Sequence, residues 1–200
     1  PITVKEANVT YDASINGNDI YITSWAGGLR RYNTSTKIWQ RIPLPQDSDQ
    51  VLNTCDESSY VTTSSGSILK DFYLNPRDPN DGGNHNHKAF SVVSYSDTIW
   101  VGTANGINRG LVGAYGCIDW THYTPLADGL TGGFVVDLAI QKYKGYTIIW
   151  AATVLAETGE SNGVSYSIDG GDTWSPTLLG ERAYNITASD SIVLVATKTG

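Results

Sequence analysis

The segment Asn75–Lys88 holds the densest group of side chains that could bind a metal ion. Its candidate ligands are two carboxylates, Asp78 and Asp81, and two imidazoles, His85 and His87. Imidazole with carboxylate suits zinc or another transition ion, whereas Asp and Asn oxygens alone would suit calcium. The i, i+2 spacing of the histidines puts both rings on one side only where the backbone is extended. The alternative is a polar connecting loop held by prolines and Asx-turns, so a divalent metal here is one of two predictions.

The same segment is also the leading predicted contact surface, because long polar loops on a rigid scaffold often carry binding residues. The side chains that we single out within it are Asn84, His85, Asn86 and His87. Trp25 is a further candidate, since it directly follows an apolar strand pattern and precedes Ala-Gly-Gly. That position would place its ring at a rim, where it could stack on a sugar. Packing of Trp25 between neighbouring sheets is the alternative, and the favoured one.

Catalytic groups are harder to identify. Glycosidase chemistry requires two carboxylates about 5–10 Å apart, one of them protonated. Glu157 and Glu160 lie close together in one predicted loop and could act as acid and base, although solvated loop charges are the commoner arrangement. The sequence shows no Ser-His-Asp order, nucleotide-binding glycine loop or CxxC pair, and no pattern selects three of its arginines as a triad. We therefore predict no catalytic residue, and binding rather than catalysis.

The composition limits the classes of protein to which the chain can belong. Its 200 residues are enough for about one domain. Six Trp, twelve Tyr and 21 Gly suit many short strands joined by turns. The net charge of −7 makes a nucleic-acid-binding surface improbable, because such surfaces carry clustered cations. No apolar run is long enough to span a membrane, which requires about 18 residues.

An apolar strand pattern recurs along the chain, with starts separated by 40, 39, 50 and 44 residues. This is the period of a propeller blade of four strands, about 40–50 residues. The five copies of the pattern are Ile20–Ser24, Tyr60–Ser64, Ile99–Thr103, Ile149–Thr153 and Val193–Thr197. The fold class predicted is therefore an all-β propeller of four-stranded blades.

The blades predicted from this period are 9–45, 46–88, 89–130, 131–180 and an incomplete fifth at 181–200. Residues 1–200 are predicted to form one partial propeller domain, with about four to five blades present. An arc of that size would leave a raw sheet edge, which natural proteins avoid. We therefore expect further blades in the same parent chain, completing a ring of about seven or eight.

Two stretches carry a resemblance to known repeat families. Thr98–Arg109, which reads TIWVGTANGINR, resembles the repeat of the two-component-regulator propellers. Ser167–Trp174 is similar to the Asp-box, S-x-D-x-G-x-T-W, with Ser167, Asp169, Gly171, Thr173 and Trp174 at its fixed positions. Asp-boxes also occur in sialidases, propeller xyloglucanases and sortilin-type receptors. The resemblance implies a structural hairpin in which Asp169 accepts hydrogen bonds from the turn and Trp174 packs beneath it, and it implies no activity.

Two cysteines, Cys55 and Cys117, are too few for a disulfide scaffold. They could form one bridge in an oxidising compartment. Two buried free thiols is the favoured alternative.

These observations favour a non-catalytic binding module, extracellular or in the cell envelope, that contacts a protein or glycan partner through rim loops. One alternative is a glycan-active hydrolase whose catalytic carboxylates lie partly outside these residues. A second alternative is a structural subunit of a surface assembly.

Overall fold

Strands joined by short turns make up most of the chain. The computed structural model describes residues 9–25, 27–56, 60–64, 66–69 and 85–200. The strands are β1 Thr10–Asn16, β2 Asp19–Ser24, β3 Gly28–Asn33, β4 Ile38–Ile42, β5 Val51–Asn53, β6 Tyr60–Thr63, β7 Gly66–Leu69, β8 Ala89–Tyr95, β9 Thr98–Thr103, β10 Gly106–Val112, β11 Ile118–Tyr123, β12 Phe134–Tyr143, β13 Tyr146–Val154, β14 Gly163–Ser167, β15 Ser175–Thr177, β16 Ala183–Ser189 and β17 Ile192–Thr197. Short helical turns cover His85–His87, Ala114–Gly116 and Pro125–Asp128.

Among the described residues, three antiparallel meanders form complete blades. Blade one is β1-β2-β3-β4, blade two is β8-β9-β10-β11, and blade three is β12-β13-β14-β15. The pair β16-β17 begins a fourth sheet, which we call the fourth pair. The first strands of these units lie side by side, β1 against β8, β8 against β12 and β12 against β16. This is the architecture of a β-propeller, and the predicted fold class is confirmed.

The cores lie between successive blades because the recurring apolar strands are sandwiched there. Blades one and two enclose a cluster with Leu29, Ile99 and Val101, all fully buried. Blades two and three enclose Trp100 and Ile149, and a smaller cluster with Val164 and Ile186 joins blade three to the fourth pair. Each cluster draws on two sheets, so a blade completes its core only by packing on its neighbour.

The structure differs from the prediction at residues 46–88. The strand pattern at Tyr60–Ser64 yields β6, which pairs with β7 in a separate two-stranded sheet. Strand β5 joins the outer edge of blade two, beside β11. Because β1 packs directly against β8, no blade lies between blades one and two. The spacings of 40 and 39 residues around Tyr60–Ser64 led to the wrong prediction because a β-rich insertion can contain the same kind of short apolar strand as a true blade.

Cys55 and Cys117 form a disulfide, with their Cα atoms 5.6 Å apart. The favoured prediction of free thiols was wrong. The pairing of Asn53 with Asp119 in β5 and β11 brings the two cysteines together across a sequence separation of 62 residues. The bond therefore anchors the insertion to the outer edge of blade two.

Candidate functional site

Two ends of the blades could carry a binding site. The hairpin side carries the turns at 96–97 and 144–145, between the first and second strands of blades two and three. The connector side lies at the other end of these strands, with the turn at 104–105 and the chain segments that link one blade to the next. Of the contact residues predicted from sequence, Trp25, His85, Asn86 and His87 lie on the connector side.

His85–His87 form a single turn that is bound into the connector side. The backbone N–H groups of His85 and Asn86 each donate to the carboxylate of Asp47, at 2.7 Å. The Asn86 side chain is fully buried, exchanging hydrogen bonds with Asn108 and donating to the Pro45 carbonyl. His87 is also buried, and only His85 is partly exposed. Asn86 and His87 are thus structural residues and do not present their side chains to a partner.

The predicted metal ligands are only partly visible. Two of the four predicted ligands, Asp78 and Asp81, lie outside the described residues, so the metal site at Asn75–Lys88 stays a prediction. The predicted contact residue Asn84 also lies outside them. Within the part of the chain that the structure describes, no three His, Cys, Asp or Glu side chains are grouped closely enough to hold a metal ion.

Trp25 is half-buried, with the ammonium of Lys88 5.6 Å from its ring centre. Burial lowers the pKa of Lys88, and the negative charge of Asp47 opposes that shift. This pair covers the connector side between blades one and two. Trp25 therefore combines partial packing with partial exposure, between the two arrangements predicted for it.

Glu160 organises a loop on the connector side. Its Oε2 accepts hydrogen bonds from the N–H groups of Gly133 at 2.9 Å and Ala156 at 2.6 Å. A third, longer bond comes from Glu157 N–H. A carboxylate oxygen held by three backbone donors positions the connection between β13 and β14.

The turn within Ser167–Trp174, the segment that resembles the Asp-box, lies between β14 and β15 and is closed by its own side chains. Asp169 accepts bonds from the Thr173 hydroxyl at 2.5 Å, from Thr173 N–H at 3.0 Å and from the Ser167 hydroxyl at 2.8 Å. These bonds, led by the Thr173 hydroxyl, lower the pKa of Asp169 to about 2. Ser167 Oγ also accepts from Gly171 N–H, and Trp174 is buried.

This turn also docks blade three onto blade two. The Arg109 guanidinium, on β10, donates through Nη1 to the Gly170 carbonyl and lies 3.7 Å from the Asp172 carboxylate. Trp174 packs edge-on against Trp100 and Tyr123 of blade two, with ring centres 6.0 Å away in each case. The motif thus fixes Arg109 at a blade interface.

The interfaces between blades follow a repeated design at the inner strands. Each inner strand has a β-bulge, and the residues directly after the bulges are Asp12, Ser91, Asp137 and Asn185. At the interface of blades one and two, Asp12 accepts from Val92 N–H at 2.8 Å. At the interface of blade three and the fourth pair, Asp137 accepts from Ile186 N–H at 2.7 Å. We call these contacts the carboxylate clamps.

A second contact recurs four residues further along the same strands. The Asn16 side-chain amide donates to the Ser96 carbonyl at 2.7 Å, and the Gln141 amide donates to the Asp190 carbonyl at 2.6 Å. We call these contacts the amide clamps. They hold two of the interfaces together at the hairpin side.

The interface of blades two and three lacks both clamps. Ser91 replaces the aspartate and makes only a 3.4 Å bond to the Val135 carbonyl, and Tyr95 replaces the amide. In addition, the β12-β13 hairpin is longer than its counterpart, since β12 has ten residues and β8 has seven. The projecting hairpin and the missing clamp leave a groove of about 460 Å³ on the hairpin side.

The groove exposes apolar side chains beside cations. Trp100, 3% exposed, contributes to its floor, while its sides expose Tyr95 (54%), Leu111 (42%), Tyr146 (57%) and Ile168 (50%). Arg109 and Lys142 also line it, with Asp97 the carboxylate on the blade-two side. The Lys142 ammonium lies 3.7 Å from the centre of the Tyr95 ring. A concave surface with aromatic residues and convergent charges is the common form of a binding site.

Sequence reasoning missed this groove. The only signals were the spacing of 50 residues before the fourth apolar strand, the largest of the series, and the tyrosine pair in Tyr143-Lys-Gly-Tyr146. Neither reveals that the neighbouring blade lacks an amide at the clamp position.

Comparison with protein-family models and with curated proteins found no match. Solved structures do match. The extracellular domain of a putative one-component system from B. thetaiotaomicron is 14% identical over 94% of this chain and 20% of that chain, with a TM-score of 0.56. The computationally designed Ika4 protein is 11% identical over 96% of this chain and 87% of that chain, with a TM-score of 0.51.

A GH74 xyloglucanase from Xanthomonas campestris is 17% identical over 93% of this chain and 28% of that chain, with a TM-score of 0.41. The chain spans only about a fifth of the length of the first of these structures. At these identities the likeness shows the fold alone. The resemblance of the repeats to the Asp-box family stays a prediction.

Proposed function

We propose that this chain is a non-catalytic β-propeller binding module that holds a protein or glycan partner in the groove between blades two and three. The observation that carries the proposal is the loss of both clamps at this one interface. Natural proteins tend to break rules of packing or of hydrogen-bond satisfaction at functional sites. Here the departure removes hydrogen bonds and exposes tyrosines, a residue type enriched at interfaces.

The carboxylates of the inner strands support binding rather than hydrolysis. Asp137 accepts bonds on both oxygens, from Leu138 N–H and from Ile186 N–H, and Asp12 is bonded in the same way to Ala13 and Val92. Burial raises the pKa of Asp137, and the two backbone bonds oppose the shift. These carboxylates join blades, and neither of them lines the groove.

The proposed location is extracellular or in the cell envelope. The Cys55–Cys117 disulfide supports it, because such bonds persist in oxidising compartments. The neighbour from B. thetaiotaomicron is described as an extracellular domain. No helix in the described part of the chain has the length and apolar character needed to cross a membrane.

The proposal is tested in two screens: the labelled chain is applied to a glycan array, and the immobilised chain is panned against a random-peptide phage library. The affinity of any ligand found is then measured again with Tyr146→Ala. We expect binding to fall about tenfold or more, as for an interface anchor. The matched control is Leu126→Ala, because Leu126 is 83% exposed on the connector side. A ligand that depends on Trp25 and not on Tyr146 would move the site to the connector side. Hydrolysis of a bound glycan would overturn the non-catalytic assignment.

A further inference from the structure

We propose that the groove takes an extended peptide segment of a protein partner, one that inserts an apolar side chain and places a carboxylate beside it. This inference rests on the proposed function and narrows it to one class of ligand.

The sides of the groove favour an apolar ligand group. Leu111 and Ile168 expose branched aliphatic side chains that offer no hydrogen bond. Sugar hydroxyls placed against them would lose water without gaining a partner, which costs free energy. An apolar side chain gains by the same burial, and Tyr95 and Tyr146 can enclose it with ring faces.

Two cations of the groove, Lys142 and Arg109, favour a negatively charged ligand group. Lys142 donates to the Thr147 hydroxyl and lies over the Tyr95 ring, and no carboxylate in the described residues lies within ion-pair distance of it. Arg109 has an ion pair with Asp172, which is largely exposed, and its buried Nε–H has no hydrogen-bond partner within the described chain.

The groove lining has more cationic than anionic side chains, whereas the chain as a whole has a net negative charge. The chain carries a net charge of −7, yet the groove lining has two cations, Arg109 and Lys142, and one carboxylate, Asp97. Asp172 lies beside the lining and is paired with Arg109, so Lys142 is the cation of the groove without a carboxylate partner among the described residues. An acidic peptide is therefore drawn to this place and repelled elsewhere on the surface. A basic peptide would meet the opposite field.

The experiment uses the full chain, panned against a phage library of random linear peptides, with the enriched peptides then synthesised and titrated by calorimetry. We expect enriched sequences to share an apolar or aromatic residue with Asp or Glu nearby. Lys142→Glu should weaken them about tenfold, and replacing the peptide's acidic residue by Lys should restore binding to that variant.

The matched control is Lys144→Glu, which makes the same charge change on the same hairpin but outside the groove lining. It should leave affinity nearly unchanged. Circular dichroism of each variant verifies folding, and Lys142→Gln provides a milder second variant.

The outcomes separate the two proposals. Peptides without an acidic residue, or indifference to Lys142→Glu, would overturn the peptide assignment. A glycan that binds and is lost with Tyr146→Ala, while no peptide is enriched, would overturn this inference and leave the proposed function standing. Binding of neither class in the groove would overturn both.

Discussion

The interface between blades one and two and the interface between blades two and three are formed by equivalent strands of successive blades. They differ in the side-chain contacts that close them. The first has a carboxylate clamp from Asp12 and an amide clamp from Asn16. The second has Ser91 and Tyr95 at those positions and opens into the groove. Because the three blade interfaces are formed by equivalent strands, the two that carry clamps serve as a reference for the third, between blades two and three, which carries neither.

The comparison shows that two different sets of contacts can join blades. At the clamped interfaces, polar side chains of the inner strand satisfy backbone groups of the next blade. At the open interface, the turn within Ser167–Trp174 joins the blades instead. It accepts a hydrogen bond from Arg109, and Trp174 packs against Trp100 and Tyr123. Blade three can therefore stay attached near its outer strands while its inner hairpin leaves space for a ligand.

Loss of the disulfide should have the largest effect on stability. The bond anchors the insertion to the outer edge of blade two, and blade two has clamps only at its interface with blade one. Replacing both cysteines, Cys55→Ser with Cys117→Ser, should lower the free energy of unfolding by about 4 kcal/mol, the chain-entropy value for a loop of this length. Urea unfolding measures it, with the unmodified chain in reductant as the matched control. A loss below about 1 kcal/mol would mean that strand pairing alone holds the insertion.

The Asp-box contact of the open interface can be broken at Gly171. This residue has a φ of +96°, and a methyl group there would lie 2.8 Å from the Trp100 ring and 3.0 Å from the Tyr123 hydroxyl. Gly171→Ala should cost about 3 kcal/mol from strain and overlap together. The control is Gly170→Ala, where φ is +77° and the nearest atom is 3.7 Å away, so only about 1 kcal/mol is expected. Equal losses in the two variants would show that blade packing at Gly171 contributes little.

The carboxylate clamp can be broken at Asp137. Asp137→Ala leaves the N–H of buried Ile186 without its partner and should cost about 2 kcal/mol in thermal or urea unfolding. Asp137→Asn keeps a carbonyl acceptor and removes a buried charge whose pKa burial has raised, so it should cost less than half as much. If both variants lose the same free energy, the charge and not the hydrogen bond holds this interface.

The smallest effect concerns acid stability. The pKa of Asp169 in the folded chain is about 2, below the value of about 3.9 expected when unfolded. Its carboxylate therefore stabilises the fold above about pH 4, and that contribution is lost as the pH falls toward about 2. Asp169→Asn should flatten the loss of stability in this window, measured by urea unfolding at stepped pH. Thr173→Val, which removes the leading donor, should flatten it in the same direction, and an unchanged slope in both variants would refute the assignment.

Several features were predictable because they depend on neighbours in the chain. The apolar strands, their turns and the Asp-box hairpin all follow from short patterns, and Trp174 is buried beneath its turn as the resemblance implied. The pattern at Tyr60–Ser64 met the same local criteria and was nevertheless misassigned, since strand periodicity does not reveal which sheet a strand joins.

The sequence by itself determined the strand content, the propeller repeat and the turn chemistry, because these depend on contacts within a few residues. Only the tertiary structure decided that Cys55 meets Cys117, that Asn86 is buried against Asn108, and that Tyr95 stands where other blades place an amide. Each of these depends on residues that are distant in sequence and brought together by blade packing. The groove belongs to this second group, since it is formed by a contact that two blades do not make.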